Sequence, residues 1–252
     1  MTINEKINIP HENVPVILVA PLDWGLGHAT RCIPIITHLL TIGCKVIVAA
    51  EGKQRLLLKQ EFAGIRCVYL QGYRVEYGTK GWQTLLKISL QLPKLLRSIK
   101  QENRWLQKFI LENKVNGVIS DNRYGLFSKQ VPSVFITHQL NVKCPFGPLV
   151  ESFIQQFIYK YINKFNQCWV PDYEGDVNLA AELSHPKNLP ATTVKYLGRL
   201  SRISRQANNN ETGPLLILLS GPEPQRTSLE VLLLNQLTSY TESAILVRGL
   251  PG

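Results

Sequence analysis

Apolar runs that alternate with helix-patterned segments confine this chain from its start. Residues 15–21, Pro-Val-Ile-Leu-Val-Ala-Pro, are β-prone throughout and lack polar alternation, the pattern of a strand buried on both faces. A glycine turn follows. Ile33, Ile36, Leu39 and Leu40 then recur at helical spacing, with Gly43 placed as a C-cap. A second apolar run covers 45–50, a short helix is predicted over 53–62, Gly64 stops it, and 66–70 reads as a third strand. Strand, helix, strand, helix, strand with nearly continuous apolar strands predicts a parallel sheet covered on both faces.

The rest of the chain extends this pattern. A long helical region is predicted over 82–111, with Pro93 as a break or kink. Strands are predicted at 117–120, 133–137, 167–170 and 194–197. Between them, 151–165 reads as a helix with Phe153, Phe157 and Tyr161 on one stripe and Ile154, Ile158 and Ile162 beside it. Residues 201–213 are polar, include three successive asparagines, and read as a linker. The pattern then restarts: strand 215–219, turn 221–224, helix 228–237, strand 244–247. The expected architecture is α/β, a doubly wound parallel-sheet domain over 14–200 followed by the start of a second Rossmann-like domain over 214–252. Such a short second unit is expected to be incomplete, because it buries too little surface to offset its chain entropy.

Composition narrows the function classes. Hydrophobic residues make up 44% and charged residues 18% of 252, which suits a folded chain rather than a disordered one. No apolar run reaches the roughly 18–20 residues of a membrane span. The polar N-terminal stretch has no signal-peptide core, so a cytoplasmic location is expected. The five cysteines are odd in number and form no CxxC pair, and are expected to be buried free thiols. The five histidines show no HxxxH or HExxH spacing, so no metal is expected. Lys plus Arg exceed Asp plus Glu by 28 to 18, a net +10, which favours anionic partners. No zinc finger, RNA-binding or homeodomain signature is present, so nucleic acid is not expected. Within 82–111, leucines and isoleucines interleave with Lys87, Lys94, Arg97, Lys100, Arg104 and Lys108. This is either a core-facing helix with a solvated basic face or a surface helix resting on anionic lipid, where Trp82 and Trp105 would suit the interface.

Four segments can carry chemistry. Asp23-Trp24-Gly25-Leu26-Gly27-His28-Ala29-Thr30-Arg31 joins the first strand to the first helix. It lacks the third glycine of a dinucleotide fingerprint. His28 is either a solvated turn residue or a general base at the mouth of the sheet, where imidazole titrates near neutral pH. Ser120-Asp121-Asn122-Arg123-Tyr124-Gly125 puts a carboxylate, an amide and a guanidinium at a second strand end, although Asp-Asn can also simply cap a helix. Thr137-His138-Gln139-Leu140-Asn141 lies at a third. Three polar strand ends in one unit point to a polyhydroxylated ligand. In the second unit, Ser220-Gly221-Pro222-Glu223-Pro224-Gln225-Arg226-Thr227 follows the first strand. Thr227 with Glu230 fits a capping box, and the amides, dipole and Arg226 suit a diphosphate. An ordinary proline-stiffened loop is the alternative.

These segments resemble the GT-B glycosyltransferases related to the peptidoglycan N-acetylglucosaminyltransferase that makes lipid II, and a bacterial group of predicted glycosyltransferases. The resemblance covers residues 14–252. It rests on Gly25–His28, SDNRYG at 120–125, ITHQLN at 136–141, WVPD at 169–172 and LLSGPEPQR at 218–226. Gly27 and His28 match the family's glycine–histidine loop. His138, Gln139 and Asn141 match its His-Glu-Gln-Asn segment without the glutamate. The resemblance implies an N-terminal domain that binds acceptor, a C-terminal domain that binds a nucleotide sugar, and inverting transfer without metal or cofactor.

On this reading His28 and Asp121 are catalytic. Gly25, Gly27, Asn122, Arg123, His138, Gln139 and Asn141 bind acceptor, and Ser220, Gly221, Arg226 and Thr227 bind donor. The implied donor is UDP-N-acetylglucosamine, and the acceptor a cell-envelope glycolipid or polysaccharide. The protein would be cytoplasmic or peripheral on the inner membrane face, and this chain alone inactive. A sugar-nucleotide 2-epimerase of the same fold and a non-catalytic nucleotide-sugar-binding subunit are the alternatives.

Overall fold

The structure is a computed structural model. It describes residues 14–73, 81–144, 146–203, 213–221 and 223–249, with backbone alone over 81–90. The side chains of Trp82 and Lys87, together with Pro222 and most of the 201–213 linker, therefore lie outside the described residues. The chain divides into two compact units, Met1–Arg202 and Ile203–Gly252.

In the first unit the elements run β1 (Val16–Pro21), α1 (Leu26–Thr41), β2 (Lys45–Ala49), α2 (Gly52–Glu61), β3 (Arg66–Val68) and α3 (Gly81–Asn113). They continue as β4 (Gly117–Asp121), β5 (Ser133–Ile136), α4 (Pro148–Ile162), β6 (Gln167–Val170), a single 3-10 turn and β7 (Thr193–Tyr196). Among the described residues the seven strands form one sheet in the order β3-β2-β1-β4-β5-β6-β7, parallel throughout. Alternate residues of each central strand enter opposite cores. Val19, Val46 and Val48 pack with Ile33 and Ile36 of α1. Leu18, Ala20 and Ile47 pack with Leu106, Phe109 and Ile110 of α3. The doubly wound sheet thus follows from strands with no polar face.

Several local expectations change. α3 runs unbroken through Pro93, so the missing N–H removes one i→i−4 bond without ending the helix. From Leu92 onward its apolar face is largely spent on the core: Ile99 and Leu106 are buried, and Trp105 stacks on Phe109 at 4.7 Å. Lys94, Arg97, Lys100, Arg104 and Lys108 face solvent. α4 begins at Pro148, because Gly147 (φ 87) turns the chain and proline suits the first helical position. Phe153 is not part of a buried stripe and stands 72% exposed. All five cysteines are free, but Cys44, Cys67 and Cys144 are only partly buried, since they sit in connecting loops or on the edge strand β3. Cys32 and Cys168 are buried.

In the second unit β8 (Leu215–Leu218), α5 (Gln225–Leu237) and β9 (Ala244–Val247) form a parallel two-stranded β-α-β unit. The capping box does not form. α5 starts at Gln225 with Pro224 as N-cap and no side-chain cap. Glu230 is drawn instead to Arg226 and Arg248, and Thr227 N–H donates to Glu223.

Candidate functional site

The sheet has one topological switch point. β2 and β3 lie on one side of β1, whereas β4 pairs on the other. The carboxyl ends of β1 and β4 therefore border the crevice in which such sheets bind ligands. Pro21 is the register partner of Asp121. Gly25, at φ 76, reverses the chain there and starts α1. On the first turns of α1, His28, Arg31 and Cys32 are spaced i, i+3 and i+4, which puts them on one face.

All three meet Asp121, whose side chain is fully buried. His28 Nδ1 lies 3.1 Å from Oδ1. Arg31 grips the carboxylate in a fork, Nε to Oδ2 at 2.7 Å and Nη2 to Oδ1 at 2.5 Å. Cys32 Sγ lies 3.7 Å from Oδ2. From the end of β5, His138 joins the cluster, with its Nδ1 2.9 Å from Arg31 Nη1.

Burial pushes the Asp121 carboxyl up, but the His28 hydrogen bond and the Arg31 charge outweigh it and hold the group below the usual carboxylate range. Asp121 is therefore an anion. An ionised oxygen cannot donate, so in this 3.1 Å contact Asp121 accepts from Nδ1 of His28. Nη2 of Arg31 lies 2.6 Å from Nδ1 of His28, a contact in which the guanidinium donates and Nδ1 accepts, so the His28 tautomer decides whether Nδ1 serves Arg31 or Asp121. Arg31 donates to His138, so Nδ1 of His138 is an acceptor and its Nε2 carries the proton. Burial, then the Arg31 charge, hold His138 below the usual imidazole value, which keeps it neutral. Burial, then the Asp121 charge, push the Cys32 thiol well up, so it stays a neutral donor. Among the described residues no three His, Cys, Asp or Glu groups converge as metal ligands would.

The other expected acceptor residues divide. Gly25 and Gly27 border the cluster through the first turn of α1; the Gly25 carbonyl accepts from Gln54 and the Gly27 carbonyl from Thr30. Asn122 follows Asp121 directly, with φ 60. Gln139 is exposed beside His138, and Asn141 N–H donates to the Leu183 carbonyl. Neither contacts the cluster. Arg123 points the other way. It is 1% exposed and donates to Glu102 at 2.5 Å and to the Gln71 carbonyl. Tyr73 and Gly125 N–H complete the shell around Glu102. An acceptor cannot reach this guanidinium: burying it without Glu102 would leave an unpaired charge in the core, which fixes it there.

In the second unit, Ser220 and Gly221 (φ 123) lie in the loop after β8. Arg226 is not open. It is 8% exposed and bonds Glu223 at 2.6 Å and Glu230 at 2.9 Å. Thr227 gives both its N–H and its hydroxyl to Glu223. An internal carboxylate thus occupies the first turn of α5.

Sequence reasoning quoted Arg31 within its motif and assigned it no role, although the spacing from His28 already placed both on one helix face. Asp172, at the end of the WVPD segment, was likewise unassigned. It is fully buried and accepts from the N–H groups of Tyr173, Leu179 and Ala180 and from the Ser184 hydroxyl. Those bonds shape the loop between β6 and β7.

No family model matches the chain. It is 30% identical over 169 residues to an uncharacterized glycosyltransferase of Methanosarcina acetivorans, a match that covers 62% of this chain and 42% of that relative. The chain thus spans less than half the length of the curated relative it matches. A UDP-glucosyltransferase from Polygonum tinctorium capable of glucosylating indoxyl superposes with a TM-score of 0.56 at 14% identity, over 94% of this chain and 66% of its own. Phytolacca americana UGT2, complexed with UDP-2-fluoro-glucose and pterostilbene, gives 0.51 at 12% identity, over 93% and 71%. The fold is that of the GT-B glycosyltransferases.

Proposed function

We propose that the first unit binds and activates a hydroxyl acceptor, and that the second unit binds a sugar nucleotide. The observation that carries this reading is the His28–Asp121 contact of 3.1 Å at the switch point. Nε2 of His28 takes the proton from the acceptor hydroxyl as its oxygen attacks the anomeric carbon. The bond from that carbon to the diphosphate breaks, and the nucleoside diphosphate leaves with the electron pair. Asp121 orients the ring and stabilises the imidazolium that forms. A single displacement inverts the anomeric centre, and no metal or cofactor takes part.

The donor we propose is UDP-N-acetylglucosamine, and the acceptor a cell-envelope glycolipid or polysaccharide. Gly25, Gly27, Asn122, His138, Gln139 and Asn141 line the acceptor side, and Ser220, Gly221, Arg226 and Thr227 the donor side. A cytoplasmic protein, peripheral on an anionic membrane, suits such an acceptor, and the solvated basic face of α3 would be the contact. Among the described residues no helix is long and apolar enough to cross a membrane.

The second unit is proposed to bind donor weakly by itself. Leu216 is 63%, Leu218 68% and Ile245 50% exposed, so its apolar strand faces are not closed into a core. Incubating the protein with labelled UDP-sugars and an acceptor panel tests the reading. Acceptor-dependent labelling that His28→Ala slows by about 10²–10⁴-fold supports it. Conversion of the sugar without acceptor would replace it with a 2-epimerase.

A further inference from the structure

β3 is shorter than the strand it pairs with. It joins β2 only from Ile47 onward, with Arg66 opposite that residue, whereas β2 is already paired with β1 from Lys45. Lys45 and Val46 therefore have a ladder partner on one side alone. A groove of about 650 Å³ opens there, at the amino-terminal edge of the sheet and opposite the edge that carries His28 and Asp121. Leu40 at the end of α1, with Phe62 and Ile65 around the turn after α2, supplies apolar walls. Lys45, Arg66 and Asn113 supply polar groups. We propose that this groove binds a free, single-chain anionic amphiphile, a carboxylate on an alkyl chain of medium length. The proposal goes beyond the transferase reading and uses none of the residues assigned there to acceptor or donor.

Charge decides the sign of the ligand. Glu61 also lines the groove, but its carboxylate lies 3.3 Å from Arg202 Nη1 and is balanced there. Lys45 and Arg66 have no carboxylate partner among the described residues. Arg66 gives an N–H to Asn113 Oδ1 at 2.6 Å. A guanidinium carries five such donors, so a planar, forked partner can still be held, and a carboxylate has that shape. A neutral ligand would leave both cations unanswered, and a bare anion would leave Leu40, Phe62 and Ile65 uncovered. The volume is that of an ordinary small-molecule site. Shape argues for a single chain rather than a bilayer. Val46 and Ile47, beneath the opening, are 6% and 4% exposed. An apolar floor so recessed is open to one alkyl chain, whereas lying on a membrane needs apolar groups that protrude.

Backbone amide shifts of isotope-labelled protein locate the binding, and no turnover is needed. Octanoate should move the signals of Val46, Gly64 and Ile65 in a saturable way. Octanol, which lacks the charge, should bind about three- to tenfold more weakly, the worth of two exposed ion pairs. Acetate, which lacks the chain, should move nothing at the same concentration. The double variant Lys45→Gln, Arg66→Gln should weaken octanoate by the same factor of about three to ten, and Leu40→Gln should weaken octanoate and octanol alike. All three positions are exposed, so these variants should fold. No shift with octanoate, equal binding of octanol and octanoate, or full affinity in the double variant would each overturn the inference. Two further results would as well. Shifts caused by phosphatidylglycerol vesicles but not by octanoate would make the groove a membrane contact. Shifts that follow protein concentration alone would make it a contact between copies. A protein that binds octanoate here and transfers no sugar would refute the proposed function and leave this inference intact.

Discussion

Pro21 and Asp121 are register partners at the ends of neighbouring parallel strands, and the Leu22 N–H donates to the Asp121 carbonyl at 2.9 Å. This backbone pairing sets the carboxylate against the first turn of α1. His28 and Asp121 therefore meet although 93 positions separate them.

In a complete enzyme that carries this unit, His28→Ala should lower turnover by about 10²–10⁴-fold, the usual share of general acid–base catalysis. The side chain is 12% exposed and contacts the buried Asp121, so a modest drop in melting temperature should accompany the loss. Steady-state kinetics beside thermal unfolding separates the two effects, and unchanged turnover would remove His28 from the mechanism.

Arg123→Met should cost about 3–5 kcal/mol of stability, because Glu102 is left charged and unpaired in the core. Replacing Glu102 with leucine as well should recover much of the loss. Chemical denaturation of the single and double variants checks this. An Arg123→Met protein of full stability but weakened acceptor binding would return Arg123 to the acceptor site.

Asp172 links the loop between β6 and β7 to acid. Burial raises its carboxyl, but the Ser184 hydroxyl and three backbone N–H groups more than compensate, lowering it from 3.8 to about 2. A depressed folded value means the stabilisation is complete above the unfolded value. It is lost as pH falls from about 4 toward 2. Asp172→Asn should flatten the stability profile across that window. It should also cost about 1–3 kcal/mol at neutral pH, since the amide nitrogen meets donors it cannot accept from. An unchanged acid limb in the variant would show that other carboxylates dominate.

Glu223→Gln should tighten donor binding. Its carboxylate now holds Arg226 and Thr227, the groups proposed for the diphosphate. Loosening that hold, with Arg226 still bonded to Glu230, should lower the donor Kd by about two- to fivefold, the worth of an exposed ion pair. Calorimetric titration with UDP-sugars measures it, and weaker binding in the variant would mean that Glu223 itself contacts the donor.

The layers of the fold were legible because each central strand is apolar on both faces, which only a sheet with helices above and below can satisfy. The strand ends were legible too: Asp121 and His138 were read at the ends of apolar runs, and His28 from the glycine turn that follows the first. What single segments concealed was partnership. Arg123 read as a ligand group because it shares a strand end with Asp121, whereas its actual partner Glu102 comes from a helix dominated by lysine and arginine. Arg226 read as free because Glu230 had been assigned to a cap. Charges paired across the fold cannot be matched by spacing alone, and within a helix one glutamate has several candidate partners.

The β1–β4 pairing has a kinetic corollary. Arg31 and Asp121 are 90 positions apart, and closing so long a loop is entropically unfavourable until the intervening strands and α3 have condensed. The guanidinium–carboxylate fork should therefore form in the slowest phase of refolding, after most helical signal has returned. A nascent chain that has emerged only as far as α3 holds His28 without Asp121 or His138. The proposed chemistry would then belong to the finished sheet and be missing from partly made chains.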